Sequence, residues 1–171
     1  ATFEKVDQDG LVEKLDRLKP SAQYLQLWAF FYDALHRNGA DTNRLQLLER
    51  IGQTFSENTD WLTTPQTVSH VQIPALLLAG MAQRRLGNHA SAREHFERVF
   101  AAAEKIVDES EKQALQWAVM LAGLEAARNA RDEGRFEDAD EHLARLRSAP
   151  GSRGAGQYGV RLAAALVDRS I

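Results

Sequence analysis

Arginine is the side chain whose chemistry this sequence concentrates, at Arg84, Arg85, Arg128 and Arg131. A guanidinium is always charged and presents a planar fork of donors that fits a carboxylate in bidentate fashion, so these residues could clamp an acidic segment or a C-terminal carboxylate. Glu125, Asp132 and Glu133 are close by in the chain. Pairing with them on a helical surface would occupy the same groups for only about 0–1 kcal/mol each. Which use prevails depends on the faces to which the helices turn them.

Metal and nucleophile chemistry have less to work with. Histidines stand at 36, 70, 89, 95 and 142, and none forms the i,i+4 arrangement with glutamate that a helical zinc site uses. Serines have no histidine and carboxylate in a local arrangement, and the carboxylates are spread along solvated helix faces. Residues 151–159 (GSRGAGQYG) lack the lysine-serine ending of a phosphate-cradling loop and follow no strand, so they read as a flexible linker. Residues 7–10 (DQDG) start like a calcium loop, but its first ligand position would be Lys5 and its twelfth Asp16. Trp28, Phe30, Phe31 and Tyr32 fall at helical spacing, which favours core over a ligand cage. No catalytic residue, metal or cofactor is expected.

The positioning elements must come from a chain of 171 residues, 44% of them hydrophobic, which suffices for one continuous core. Its 24 acidic and 21 basic side chains sum to a formal charge of -3 and are interspersed, so no footprint for nucleic acid or anionic lipid is present. Cysteine is absent, which removes disulfides and thiolate sites but fits both a cytoplasmic and a periplasmic location, of which the cytoplasmic is favoured. The most apolar window, residues 114–127, carries Glu125 and is shorter than the roughly 20 residues of a membrane span. A start at Ala1 without methionine, and an end at Ile171 with no natural stop, suggest a fragment of a longer protein.

Apolar residues recur at three and four, not at two, and Ala, Leu, Glu, Gln and Arg dominate, so every long segment reads as helix. A short helix over 11–19 is expected to stop at Pro20, with Ser21 capping a second over 22–37 whose apolar groups nearly encircle it. The turn at Asn38 and Gly39 leads to a helix, capped by Asp41 or Thr42, with Leu45, Leu48, Ile51 and Phe55 in one stripe. The pattern breaks over 56–73, where Trp61 is expected to plug a gap. A helix opens at Pro74 and ends at Gly87, one follows along Ala92, Phe96, Val99, Ala103 and Ile106, and another runs over 111–132 to Gly134. Helices over 136–147 and 160–168 complete the pass.

Sliding the chain by 47 positions aligns Leu77 with Leu124, Ala79 with Ala126, Arg84 with Arg131, Gly87 with Gly134, Ala92 with Ala139, Glu94 with Glu141, His95 with His142 and Arg98 with Arg145. A glycine corner followed five residues later by a small alanine permits a left-handed turn and a close returning helix, with Phe96 or Leu143 filling the groove of the pair. Gly80, Gly87, Ala92 and Phe96, and again Ala127, Gly134, Phe136, Ala139 and Leu143, give a spacing that resembles the tetratricopeptide repeat. The period exceeds that family's 34 residues, as longer helices would require.

The resemblance implies an all-α, right-handed superhelix of about three antiparallel hairpins, over about 22–57, 74–107 and 111–147, with a terminal helix over 160–169, all in one domain of residues 1–171. In that family the first helix of each repeat lines a concave groove. Carried onto this sequence, the groove positions are Met81, Arg84 and Arg85, then Leu124, Arg128 and Arg131, with Asp33 and His36 in the first unit. The implied function is a scaffold that binds a protein or peptide there, by way of an acidic segment or C-terminal carboxylate. The alternative is a ligand-sensing or regulatory module of a larger bacterial regulator or secretion-system protein. His95 and His142, beside Phe96 and Leu143, fall on the packing side.

Overall fold

The computed structural model describes residues 8–39, 41–57 and 69–148, and all regular structure in them is helical. Among the described residues there are six helices: α1 (Gln8–His36), α2 (Thr42–Glu57), α3 (Ser69–Arg85), α4 (His89–Glu104), α5 (Glu109–Asp132) and α6 (Phe136–Ser148). They pack as consecutive pairs, α1 with α2, α3 with α4 and α5 with α6, and α3 also touches α1, α2 and α5. Trp61, the 151–159 linker and the 160–169 helix lie outside the described residues.

Two corners are built alike, 47 residues apart. Gly87 and Gly134 have φ of +79° and +75°, a region that costs a side chain-bearing residue strain. At the first corner Gly87 N–H donates to Arg84 O at 3.0 Å and Asn88 N–H to Gln83 O at 2.9 Å; at the second, Gly134 N–H donates to Arg131 O and Arg135 N–H to Ala130 O, both at 2.8 Å. These paired bonds satisfy carbonyls that a helix end leaves orphaned, and only a left-handed residue brings the two N–H groups back over them. Ala92 and Ala139 are buried just after, as are Phe96 and Leu143. Gly39 has no positive φ, so the first pair turns differently.

The helices differ from the sequence expectation in three places. α1 runs unbroken through Pro20, where a stop was expected, because proline already holds a helical φ and forfeits one N–H bond and some room at the carbonyl four residues back. That loss, about 3 kcal/mol, is carried by the packing of Leu27, Phe31 and Ala34. α3 starts at Ser69, which puts Pro74 inside the helix instead of opening it. α5 begins at Glu109, with Asp108 as N-cap accepting from the Glu111 N–H at 2.8 Å.

The core centres on α3, in which every residue from 73 to 83 is buried. Leu27 and Phe31 of α1, Leu48, Ile51 and Phe55 of α2, and Phe96 and Val99 of α4 close around it. Leu45 departs from the predicted stripe and is exposed. A smaller cluster joins Leu124 and Ala127 of α5 to Leu143 and Leu146 of α6. Gly80 and Gly123 are close-contact sites: a Cβ on the first would come within 2.5 Å of the Phe96 ring, and on the second within 2.8 Å of Leu146. α1 is covered less than its encircling apolar residues predict, for Leu25 is 64% exposed and Tyr32 56%. Among the described residues it packs mainly against α2 and α3.

Candidate functional site

The ends of α3 and α5 bring the predicted arginines together. Arg84 donates through Nε to Glu125 Oε2 at 2.9 Å and through Nη1 to Asp132 Oδ2 at 2.7 Å. Arg128, one turn beyond Glu125 on α5, donates to the other carboxylate oxygen of Glu125. Glu125 is 2% exposed. A buried carboxylate persists as an ion only when its lone pairs are occupied, and two guanidinium groups do that here. Arg84 therefore holds α3 to α5 while Arg128 neutralises the same acid from within α5, the structural use of the guanidinium, with one difference from the sequence expectation: the acceptor is buried.

Arg85 is placed differently. Its guanidinium stands 5.4 Å from the centroid of the Phe31 ring of α1, a cation–π distance. Its Nε is buried and has no hydrogen-bond partner. Burial, foremost, and then the charges of Arg84, Arg44 and Arg128 hold its pKa below the usual arginine range, against an opposing pull from Glu125. Four cations thus share a neighbourhood in which Glu125 is already bound by two of them.

The other predicted groove residues divide between core and surface. Met81 and Leu124 are each 8% exposed and belong to the two core clusters, so they are packing residues and form no open floor. The reason is that α3 is enclosed by four other helices. Arg131 is half-buried at the second corner. Asp33 pairs with Arg37 at 3.0 Å on the exposed face of α1, and His36 Nδ1 lies 3.0 Å from Tyr32 O. These two are on α1, apart from the arginine cluster on α3 and α5.

Sequence reasoning missed two buried polar side chains, Asn129 and Gln83, and the burial of a third, Glu125. Asn129, 1% exposed, brings its Oδ1 to 2.9 Å from His89 Nδ1 and donates through Nδ2 to His89 O at 3.0 Å, tying α5 to the first residue of α4. Gln83 accepts from Asn88 Nδ2 at 2.8 Å across the Gly87 corner. Glu125 had a visible signal, a lone charge in the most apolar stretch of the chain. His95 is buried beside Phe55, its Nδ1 without a partner, and burial pushes its pKa down to about 4. His142 stacks on Phe100, at 6.4 Å between centroids. Both histidines are on the packing side.

A concavity of about 700 Å³ opens between α4, α5 and α6. Phe100, Ile106, Leu115, Val119, Met120 and Leu146 make its apolar wall; Lys112, His142 and Arg145 bring positive or titratable groups, and Glu104 and Glu109 bring carboxylates. Among the described residues there is no cluster of three or more His, Asp or Glu able to hold a metal ion, and no helix long and apolar enough to cross a membrane. Family models, curated proteins and solved structures were compared with the chain, and none matches.

Proposed function

We propose that the chain is a tetratricopeptide-like scaffold, a right-handed stack of helix pairs that binds a protein or peptide through a carboxylate and does no chemistry itself. The observation that carries the reading is Arg85, a partly desolvated guanidinium beside three further arginines and against an aromatic ring. A carboxylate from outside would pair with this guanidinium and relieve the mutual repulsion. The twin glycine corners support the repeat architecture.

The test is a titration with an acidic peptide bearing a free C-terminal carboxylate, followed by tryptophan fluorescence. Trp28 is 5.9 Å from Phe31, which Arg85 overlies, so it reports on the site. A saturable, salt-sensitive change that disappears in Arg85→Met is expected. A response that is unchanged in that variant, or no response in the native chain, overturns the assignment.

The concavity between α4, α5 and α6 favours a second reading, a sensor of a small amphipathic molecule. Its volume falls in the range of small-molecule pockets, and an apolar wall with polar groups at its margin suits an amphipathic ligand. Val119→Trp would fill it. A medium-chain fatty acid that raises the melting temperature of the native chain, and not of this variant, would select the sensor.

A further inference from the structure

The uncovered face of α1 has a pattern of its own. Leu18, Ala22, Leu25, Ala29, Tyr32 and His36 follow one another at steps of four and three, and all six are exposed. Leu18 and Leu25 are 62% and 64% exposed, more than a monomer's scattered surface leucines require. Steps of four and three are those of a coiled-coil seam, here with large and small side chains in alternation. The opposite face, Leu27, Phe31 and Ala34, is in the core, so the seam points outward.

From this register we infer that the seam is closed by a second copy of the same chain, with the two α1 helices antiparallel. Turning a copy about a two-fold axis at the level of Leu27 sets Leu25 against Ala29, Tyr32 against Ala22 and Leu18 against His36. Every layer then joins a larger residue to a smaller one or to a planar ring, and each layer occurs twice, as an isologous interface demands. Flanking charges agree with the same orientation. Lys19 and Asp33 are exposed on one edge of the seam, on either side of Gln26, and in the antiparallel pair Lys19 of each copy faces Asp33 of the other. In a parallel pair that edge would face the opposite edge of the other copy, so Lys19 and Asp33 would not meet. Asp33 and His36, assigned to a groove by sequence, thereby become residues of a self-association face. This inference is independent of the carboxylate reading, since Arg85 lies on α3.

Sedimentation equilibrium of the full chain across a concentration series is the test. The native chain is expected to reach twice its 19.1 kDa mass, and Leu25→Lys to remain monomeric with unchanged helical circular dichroism. Lys19→Asp alone should weaken the dimer, and Lys19→Asp combined with Asp33→Lys should restore it. A native chain that stays monomeric at every concentration, or a dimer indifferent to Leu25→Lys, overturns the proposal. Failure of the double reversal to restore the dimer overturns the antiparallel register. The acidic-peptide titration of Leu25→Lys should match that of the native chain, which keeps the two readings separable.

Discussion

The Nε–H of Arg84 in α3 donates to the carboxylate of Glu125 in α5 at 2.9 Å, across 41 residues of sequence. With Arg128 on the other oxygen, this buried acid is the polar joint between two helix pairs. Glu125→Ala leaves two guanidinium groups facing an apolar void and is expected to cost about 3–5 kcal/mol. Urea midpoints at neutral pH measure it. Glu125→Gln, which keeps the shape and loses the charge, should cost less, and equal losses for the two would show that packing alone matters there.

Gly80 faces the Phe96 ring so closely that an added methyl has no room unless the ring moves. Gly80→Ala should destabilise by about 1–3 kcal/mol. In a Phe96→Leu background the same change should cost much less, and a double-mutant cycle gives the coupling. Additive losses would show that the two sites do not compete for space.

The corner glycines are constrained by backbone alone, because a Cβ at Gly87 or Gly134 meets nothing within 4 Å. Their positive φ is expected to make either alanine variant cost about 1–2 kcal/mol. Gly39 supplies the opposite sign. It too is in open space but lacks the positive φ, so Gly39→Ala should stabilise by about 0.4–1 kcal/mol through the unfolded chain. Thermal midpoints of the three variants order them.

Those corners were legible because glycine's left-handed freedom is a local property, and the repeated alanine after each was legible for the same reason. The enclosure of α3 was not. Met81 and Leu124 have the spacing of a groove face, and only the packing of α1, α2 and α5 around α3 turns Met81 inward. Pro20 misled for a related cause, since a local breaker was outweighed by the core contacts of the same helix farther on. Arg84 and Arg85, adjacent in sequence, were indistinguishable there. Helical rotation sends one to Glu125 and the other to Phe31.

His95 should make stability depend on pH. Its folded-state pKa is about 4, below the ordinary 6.5, because burial opposes the charged form. The unfolded chain then binds the proton first, so this stabilisation is whole above pH 6.5 and is lost as pH falls toward 4. The loss is on the order of 3 kcal/mol. Urea midpoints measured between these limits should slope accordingly, and His95→Leu should flatten the slope. A slope that survives the substitution would assign the effect elsewhere.

Arg85→Met retains an apolar stem over Phe31 and removes a charge that neighbouring arginines disfavour. It is expected to hold or raise stability, by about 1 kcal/mol at most given the partial exposure. It should at the same time abolish the acidic-peptide response. A marked fall in melting temperature would mean that the guanidinium is a structural part.

The unbroken burial of residues 73–83 in α3 has a temporal meaning. Amides enclosed on all sides exchange with solvent only when the surrounding helices open together, so this stretch should hold its deuterium-free state longest. Motion of the corners and of α6 would then leave it untouched. The middle of α3 is the chain's slow clock, and the time at which it exchanges reports the lifetime of the folded molecule as a whole.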